Sequence, residues 1–378
     1  MKNPEILDLY SDYLIASYSL TTATGLSELL DKALSHDQIS RFLGQRLFHQ
    51  ADFWKCVKPI VRKIEHPCGI IKIDDTIEEK PHSSENEIIA WHWDHSKKPK
   101  AGLTKGINIL NFQYQGQLQN GESISIPVAY EIIRKTEEYY DKKSGKTKRR
   151  SPITKNTMVI ERLRILHHLN KIPFRYVLWD TWFSSKENLN FVHYELQKFF
   201  VVAIKSNRLI ALNAPQDNLN RQYHRVDELD FQKASTLTVW LKGMDFPVQL
   251  YKQVFINKDG SKGELYLITN DLELSAQNIS ATYQQRWGVE VFHKSLKQNV
   301  GLEKAPTKNE VTQSNHIFTA MIAWVKMELI CLKEQSNHFA LKKKLYVNAL
   351  RAAFEELTRL KQFHLGLKAP SNNISRLR

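Results

Sequence analysis

The sequence predicts an α/β protein: a mixed sheet flanked by helices, interrupted by a β-rich insertion and bounded by helical N- and C-terminal regions. Three observations carry this. Apolar residues recur at helical spacing from about residue 5 to 61 and again from 275 onward. Between them, β-branched runs come first as a group of three and then alternate with helical stretches, the order of a mixed sheet. Residues 207–273 lose the helical period: LTVWLKG, FPVQLYKQVFI and GELYLITN are β runs split by Gly, Pro and Asn turns.

Taken in order, GLSELLDKALSHDQISRFL reads as helix, with a break and a new N-cap at Ser35. CGIIKIDDT reads as a first core strand that ends in Asp74 and Asp75. WHWDH reads as a loop near that strand. GINILNFQYQ and SISIPVAYEIIRK are two further strands, and the Asn-Gly in QLQNGES between them is a hairpin signal. EEYYDKKSGKTKRRSP reads as a polar loop that switches from acidic to basic. Its Lys142, Lys143, Lys146, Lys148, Arg149 and Arg150 are candidate phosphate contacts. A helix over about 155–170, the strand RYVLWD ending in Asp180, a helix over about 186–198 and the apolar strand FFVVAIK follow. The expected division is a helical region at 1–66 (a brace or a DNA-end-binding unit), a catalytic core at 67–206 and 274–310, the insertion at 207–273, and a helical region at 311–378. The last is basic, with dimer contact, DNA contact and bracing all open.

Bulk composition narrows the partners. Hydrophobic residues make up 42% and charged residues 25%, so the chain can bury a sizeable core. Lys and Arg number 54 against 40 acids, a net charge of +14, which attracts polyanions at long range and makes nucleic acid the leading partner. No apolar run approaches the roughly 20 residues of a membrane helix, so no membrane partner is expected. Cys56, Cys68 and Cys331 stand far apart, as reduced thiols of a cytoplasmic protein do.

The candidate chemistry lies in three acids. Asp74 and Asp180 each end a strand, where ligands of open α/β sheets bind, and two such carboxylates could share a hard divalent cation. Asp75 leaves the first position open by one residue. In TYQQRWGVEVFHKSLKQ, one continuous helix would bring Tyr283, Arg286, Glu290 and Lys297 within roughly 60° of one another. Val289, Phe292 and Leu296 would face the core. An acid flanked by two cations and a phenol suits a metal ligand beside a phosphate backbone.

That spacing, Y-x2-R-x3-E-x6-K, resembles the signature of bacterial insertion-sequence transposases of the DDE type. Asp74-x-Thr76 resembles the group's D-x-T, and Asp180 with Phe183 its D-x2-[YF]. Arg286-Trp287, Phe292, His293 and Lys294 fall where those enzymes often carry like residues, and LLDKALSHDQISRFL is similar to their helical lead-in. The resemblance runs from about residue 20 to 305. It implies an RNase H-like core and two Mg2+ ions, with Mn2+ as a substitute, held by Asp74, Asp180 and Glu290. It implies DNA contacts from Tyr283, Arg286, Trp287, Lys294 and Lys297. The implied substrates are double-stranded element ends and target DNA, handled by a homodimer at the nucleoid. Cut-and-paste transfer, in some relatives through a hairpin end, is the implied reaction. Relatives stack a displaced base on an aromatic from the insertion. Trp240 and Trp287 are candidates here, and Trp240 also reads as core.

Three rivals stand beside this reading. One is an endonuclease of the same fold without strand transfer. Another is a non-catalytic DNA-binding relative. The third is a metal site on His92 and His95, which lacks a third ligand at a recognised spacing.

Overall fold

A computed structural model describes residues 3–94, 102–142, 144–214, 222–231, 235–256 and 259–365. Four N-terminal helices, α1 (Pro4–Ala16), α2 (Ala23–Leu29), α3 (His36–Gly44) and α4 (Gln50–Ile64), precede the sheet. The cap expected at Ser35 is present as a capping box: Gln38 N donates to Ser35 Oγ (3.3 Å) and Ser35 N to Gln38 Oε1 (2.9 Å).

The first part of the sheet comprises β1 (Ile70–Glu79), β2 (Ile89–Trp93), β3 (Leu103–Gln117) and β4 (Ser123–Ile132). After α5 (Lys155–Arg164), β7 (Tyr176–Trp179), α6 (Lys186–Asn190) and β8 (Phe199–Ile204) alternate. Strand β3 pairs antiparallel with β1 along one edge, and with β2 and then β4 along the other. Strand β4 carries Pro127 at an irregularity opposite Phe112 and Gln113, where its missing N–H breaks no regular ladder. Strands β1, β7 and β8 are parallel neighbours. Four strands in antiparallel pairing, β1 to β4, followed by two that run parallel to β1, form the expected RNase H-like sheet.

The insertion extends this sheet. It contributes β9 (Leu209–Ala211), β10 (His224–Arg225), β11 (Thr236–Leu241), β12 (Val248–Ile256) and β13 (Lys262–Thr269), and β13 pairs antiparallel with β8. The chain therefore leaves and re-enters the core at one edge. Helices α7 (Ala276–Gln284), α8 (Trp287–Gln298), α9 (Glu310–Lys333) and α10 (His338–Leu365) complete the chain.

Strand alternation divides the core into two faces. Ile71, Ile73, Val177, Trp179, Phe200 and Val202 share a large core with Val159 and Leu163 of α5, Leu189 of α6 and Val192 of the helical turn that follows it. Ile70, Leu178, Val201, Ala203 and Leu267 face a smaller core with Ile279 of α7.

Four expectations need correction. The stretch 137–150 is a two-stranded ribbon, β5 (Glu137–Asp141) with β6 (Lys146–Arg150). Its cross-strand pairs, Glu137–Arg150 (3.0 Å), Glu138–Arg149 (2.8 Å) and Asp141–Lys148, fold a charge switch back on itself. Of the candidate phosphate contacts there, Lys143 lies outside the described residues. WHWDH is not a loop, because Trp91, His92 and Trp93 belong to β2; His95 lies outside the described residues. The acids of the first strand sit in its middle, since β1 continues to Glu79. Finally, α9 is long and apolar enough to cross a membrane by length and composition. It is instead a core helix, with 67% of that window buried. Asn315 within it accepts from Phe48 N (2.8 Å) and donates to Leu43 O (2.8 Å) and Arg46 O (2.7 Å), clasping the α3–α4 connection.

Candidate functional site

The parallel pairing of β1 with β7 ends at Lys72 opposite Leu178. Two residues further along each chain stand Asp74 and Asp180, so the register alone sets them side by side where the strands part. The turn after Asp180 is held from several directions. Trp182 N donates to Asp180 Oδ1 (2.9 Å), Ser184 Oγ donates to Ala203 O (2.6 Å) and accepts from Trp179 Nε1 (3.1 Å), and Phe183 is buried in the core. These contacts fix where the Asp180 carboxylate stands.

Glu290 arrives from the other end of the chain. The sequence suggested one continuous helix over Tyr283–Lys297, but α7 ends at Gln284 and α8 begins at Trp287. Across the joint the backbone bonds tighten to i→i−3: Arg286 N to Tyr283 O (2.9 Å), Gly288 N to Gln285 O (3.2 Å) and Val289 N to Arg286 O (2.9 Å). Beyond it, Val289, Phe292 and Leu296 are buried as expected.

Arg286 links the acids. Its Nη1 donates to Asp74 Oδ2 (3.1 Å) and its Nη2 to Glu290 Oε1 (3.2 Å). Its guanidinium carbon also lies 5.6 Å from the centre of the Tyr283 ring. Asp74 Oδ1 accepts from Asp75 N (2.9 Å). Burial and the neighbouring Asp180 carboxylate push the Asp74 carboxyl up to about 7, with smaller contributions from Asp75 and Glu290 and opposition from Arg286. Burial, with Asp180 and Asp74 adding to it against Arg286, raises the Tyr283 phenol to about 12, so it keeps its proton at neutral pH. Asp75 points elsewhere: its Oδ2 accepts from Asn108 Nδ2 (2.7 Å) and pairs with Lys155 Nζ (2.7 Å). The two adjacent acids therefore differ, Asp75 neutralised by a lysine and Asp74 crowded by other carboxylates.

The remaining candidates scatter around this centre. Lys297 Nζ donates to Ile77 O (2.6 Å) and approaches Glu303 (3.5 Å), tying α8 to β1. Lys294 Nζ stands 5.1 Å from the Phe339 ring centre. Trp287 is 66% exposed beside Arg286, whereas Trp240 is half-buried on β11. His92 is buried and driven to about 3 by desolvation and nearby lysines, so it is neutral.

The sequence reading missed the polar layer beneath α8. Asn111 Nδ2 lies 3.0 Å from His293 Nε2, Gln115 Nε2 donates to Gln285 Oε1 (2.6 Å), and the buried Lys72 Nζ donates to Gln115 Oε1 (2.9 Å) and Ser125 Oγ (2.8 Å). Alternation in NILNFQYQ puts Asn111, Gln113 and Gln115 on one face, a signal present in the sequence.

Among the described residues no three Asp, Glu, His or Cys side chains are close enough to enclose a metal ion as they stand. The donor set nevertheless fits one. All three candidate ligands offer carboxylate oxygens, which hard divalent cations prefer. Burial, and then its neighbours' negative charge, also hold Asp74 far from its ordinary ionisation, and a cation relieves the charge. Arg286 occupies that role here, bridging Asp74 and Glu290.

Residues 31–333 match the family described as "Archaeal putative transposase ISC1217". A stretch of 87 residues is 33% identical to the "Probable transposase for insertion sequence element IS5377" of Geobacillus stearothermophilus. That stretch is 22% of this chain and 23% of the relative's length.

Proposed function

Because the chain belongs to this transposase family, we propose that it cuts DNA at the ends of an insertion sequence and joins the freed ends to a target, with Asp74, Asp180 and Glu290 as metal ligands. The observation that carries the reading is the Arg286 guanidinium, which donates at once to Asp74 Oδ2 (3.1 Å) and Glu290 Oε1 (3.2 Å) beside the strand end that bears Asp180. Acids of β1 and α8 thus share one guanidinium, and the Asp180 carboxylate at the end of β7 is near enough to act on Asp74.

Divalent ions bound among such carboxylates supply an activated oxygen nucleophile and stabilise the leaving oxygen of an in-line displacement. The chain's own groups do the rest. Asp74 and Asp180, fixed by the strand register and the Trp182 turn, define the position of the scissile phosphate. Glu290, 43% exposed at its side chain, completes the ligand set from a helix. Arg286 releases Asp74 and Glu290 as the site fills and turns its guanidinium to a phosphate, which it can grip with two parallel bonds. Tyr283, protonated at neutral pH, donates to a phosphate oxygen. Trp287, Lys294 and Lys297 lie on the same helix for contacts with the DNA flanking the cut. A second copy handles the second element end.

The test uses the DNA flanking the gene as donor and an unrelated plasmid as target, with Mg2+ or with chelator. Joined products that need Mg2+ and vanish in Asp180→Asn support the reading. Cleaved but never joined ends favour the endonuclease. Cleavage that persists in chelator sinks the assignment of the three acids.

A further inference from the structure

Beyond Asp180 two hollows of about 530 Å3 and about 410 Å3 adjoin, sharing Thr181, Trp182 and Lys205 in their walls. Among the described residues, Lys155, Lys205, Arg208 and Lys242 line them and no carboxylate does. Lys155 is committed to Asp75, but the other three pair with no acid among the described residues. Glu187 is the acid nearest in influence to Arg208, and it stands outside the lining.

The three cations are built in. Lys205 and Arg208 span the turn from β8 to β9, closed by Arg208 N to Lys205 O (3.0 Å) and anchored by Val226 N to Arg208 O (3.0 Å). Lys242 follows β11, and its N donates to Leu209 O (2.9 Å). The turn there is completed by Gly243 at φ +83, a conformation glycine adopts without strain. Lys205 Nζ lies 5.8 Å from the ring centre of Trp182, which is 45% exposed beside the hollow. A row of cations with no carboxylate in their shared lining, next to a wall that starts one residue from a candidate catalytic acid, fits a polyanion that passes through the site.

We propose that Lys205, Arg208 and Lys242 form a phosphate-binding groove that carries a DNA strand past Asp180, with Trp182 as its wall. This rests on the reading of the substrate as DNA. The groove grips sugar-phosphate backbone, so it positions the strand without reading its sequence.

Lys205 and Lys242 are exposed, so Lys205→Ala/Lys242→Ala leaves the fold intact. Binding of a duplex oligonucleotide with a 3′ single-stranded tail is followed by anisotropy over a salt series. Each lost phosphate contact flattens the plot of log affinity against log salt by about 0.9, so the double variant should lose about 1.8 of slope. Lys205→Arg/Lys242→Arg should keep the wild-type slope. Lys333→Ala/Lys343→Ala, equal in charge and on α9 and α10, should keep it as well. DNA binding with an unchanged slope in the first variant overturns the groove, as does an equal loss in the distant control. A wild-type protein that binds no DNA at low salt overturns the substrate reading itself, and the groove falls with it.

Discussion

Replacing Asp74 by Asn should make this protein more stable at pH 8 while removing its activity. In the folded chain the Asp74 carboxyl ionises near 7 rather than 3.8, because it is buried beside Asp180, Asp75 and Glu290. Between those two pH values the folded state holds a proton that the unfolded state has released. Stability therefore falls as pH rises through this window, and the loss is complete above about 7. At about 1.36 kcal/mol for each pH unit, the gap is worth at most about 4 kcal/mol. The attraction of Arg286 is already contained in it. Asn mimics the protonated form and so avoids the penalty; its one oxygen accepts from Arg286 or from Asp75 N, not from both as the two carboxylate oxygens of Asp74 do. Urea denaturation at pH 8 should place Asp74→Asn above wild type by a few kcal/mol, and the difference should disappear below pH 3.8. Millimolar Mg2+ should stabilise wild type at pH 8 and leave Asp74→Asn unmoved, since only a native state that binds the ion gains from it. A variant no more stable than wild type at pH 8, or equally favoured at pH 3, would refute the convergence of acids on which the site rests.

Glu290→Gln should abolish strand cleavage while DNA affinity, read by anisotropy, stays within about twofold, because the amide keeps the size and loses the charge a cation needs. Lys80→Met should cost about 3–5 kcal/mol in urea denaturation, because it strands the fully buried Glu78, whose Oε1 lies 2.7 Å from Lys80 Nζ. Pairing it with Glu78→Leu should restore most of that loss. Gly106→Ala should abolish soluble expression, since a β-carbon there meets the backbone carbonyl of Glu78 where β3 pairs with the end of β1. Recovery of folded protein with a native melting profile would contradict that packing.

What the sequence disclosed depended on how local each signal is. The Ser35 cap, the hairpin at Gly121 (φ +85) and the β runs of the insertion are written in a few adjacent residues. The ribbon at 137–150 was hidden because its strands carry charges where alternation usually shows apolar residues; cross-strand ion pairs are visible only once the strands are paired. Strand β2 was hidden for a related reason: the two tryptophans and the histidine of WHW alternate in burial, yet no neighbouring sequence names β3 as their partner. At the site, residue spacing correctly oriented Val289, Phe292 and Leu296 but not the i→i−3 joint at Gln285 and Arg286. At that joint Gln285 accepts from Gln115, a contact 170 positions away in sequence that no local pattern announces. Similarly, IDD does not tell Asp74 from Asp75, whereas their partners differ in the fold: Lys155 pairs with Asp75 and Arg286 with Asp74.

The insertion explains how so distant a set can meet. Because β13 lies antiparallel against β8, about 60 residues can enter and leave the core at one sheet edge without displacing β1, β7 or β8. The chain then returns over the sheet as α7 and α8, and the i→i−3 joint brings Arg286 and Glu290 over Asp74. The cations beyond Asp180 stand where the insertion begins and within it: Lys205 just before it, Arg208 at its entry and Lys242 after β11. The candidate acid ligands thus come from the core strands and the returning helix, while the positive charge comes from the turn between β8 and β9 and the turn after β11. A strand passing from the acids toward Lys242 would cross from one to the other. Changes in the insertion should therefore alter how long DNA stays bound far more than they alter the chemistry at Asp74.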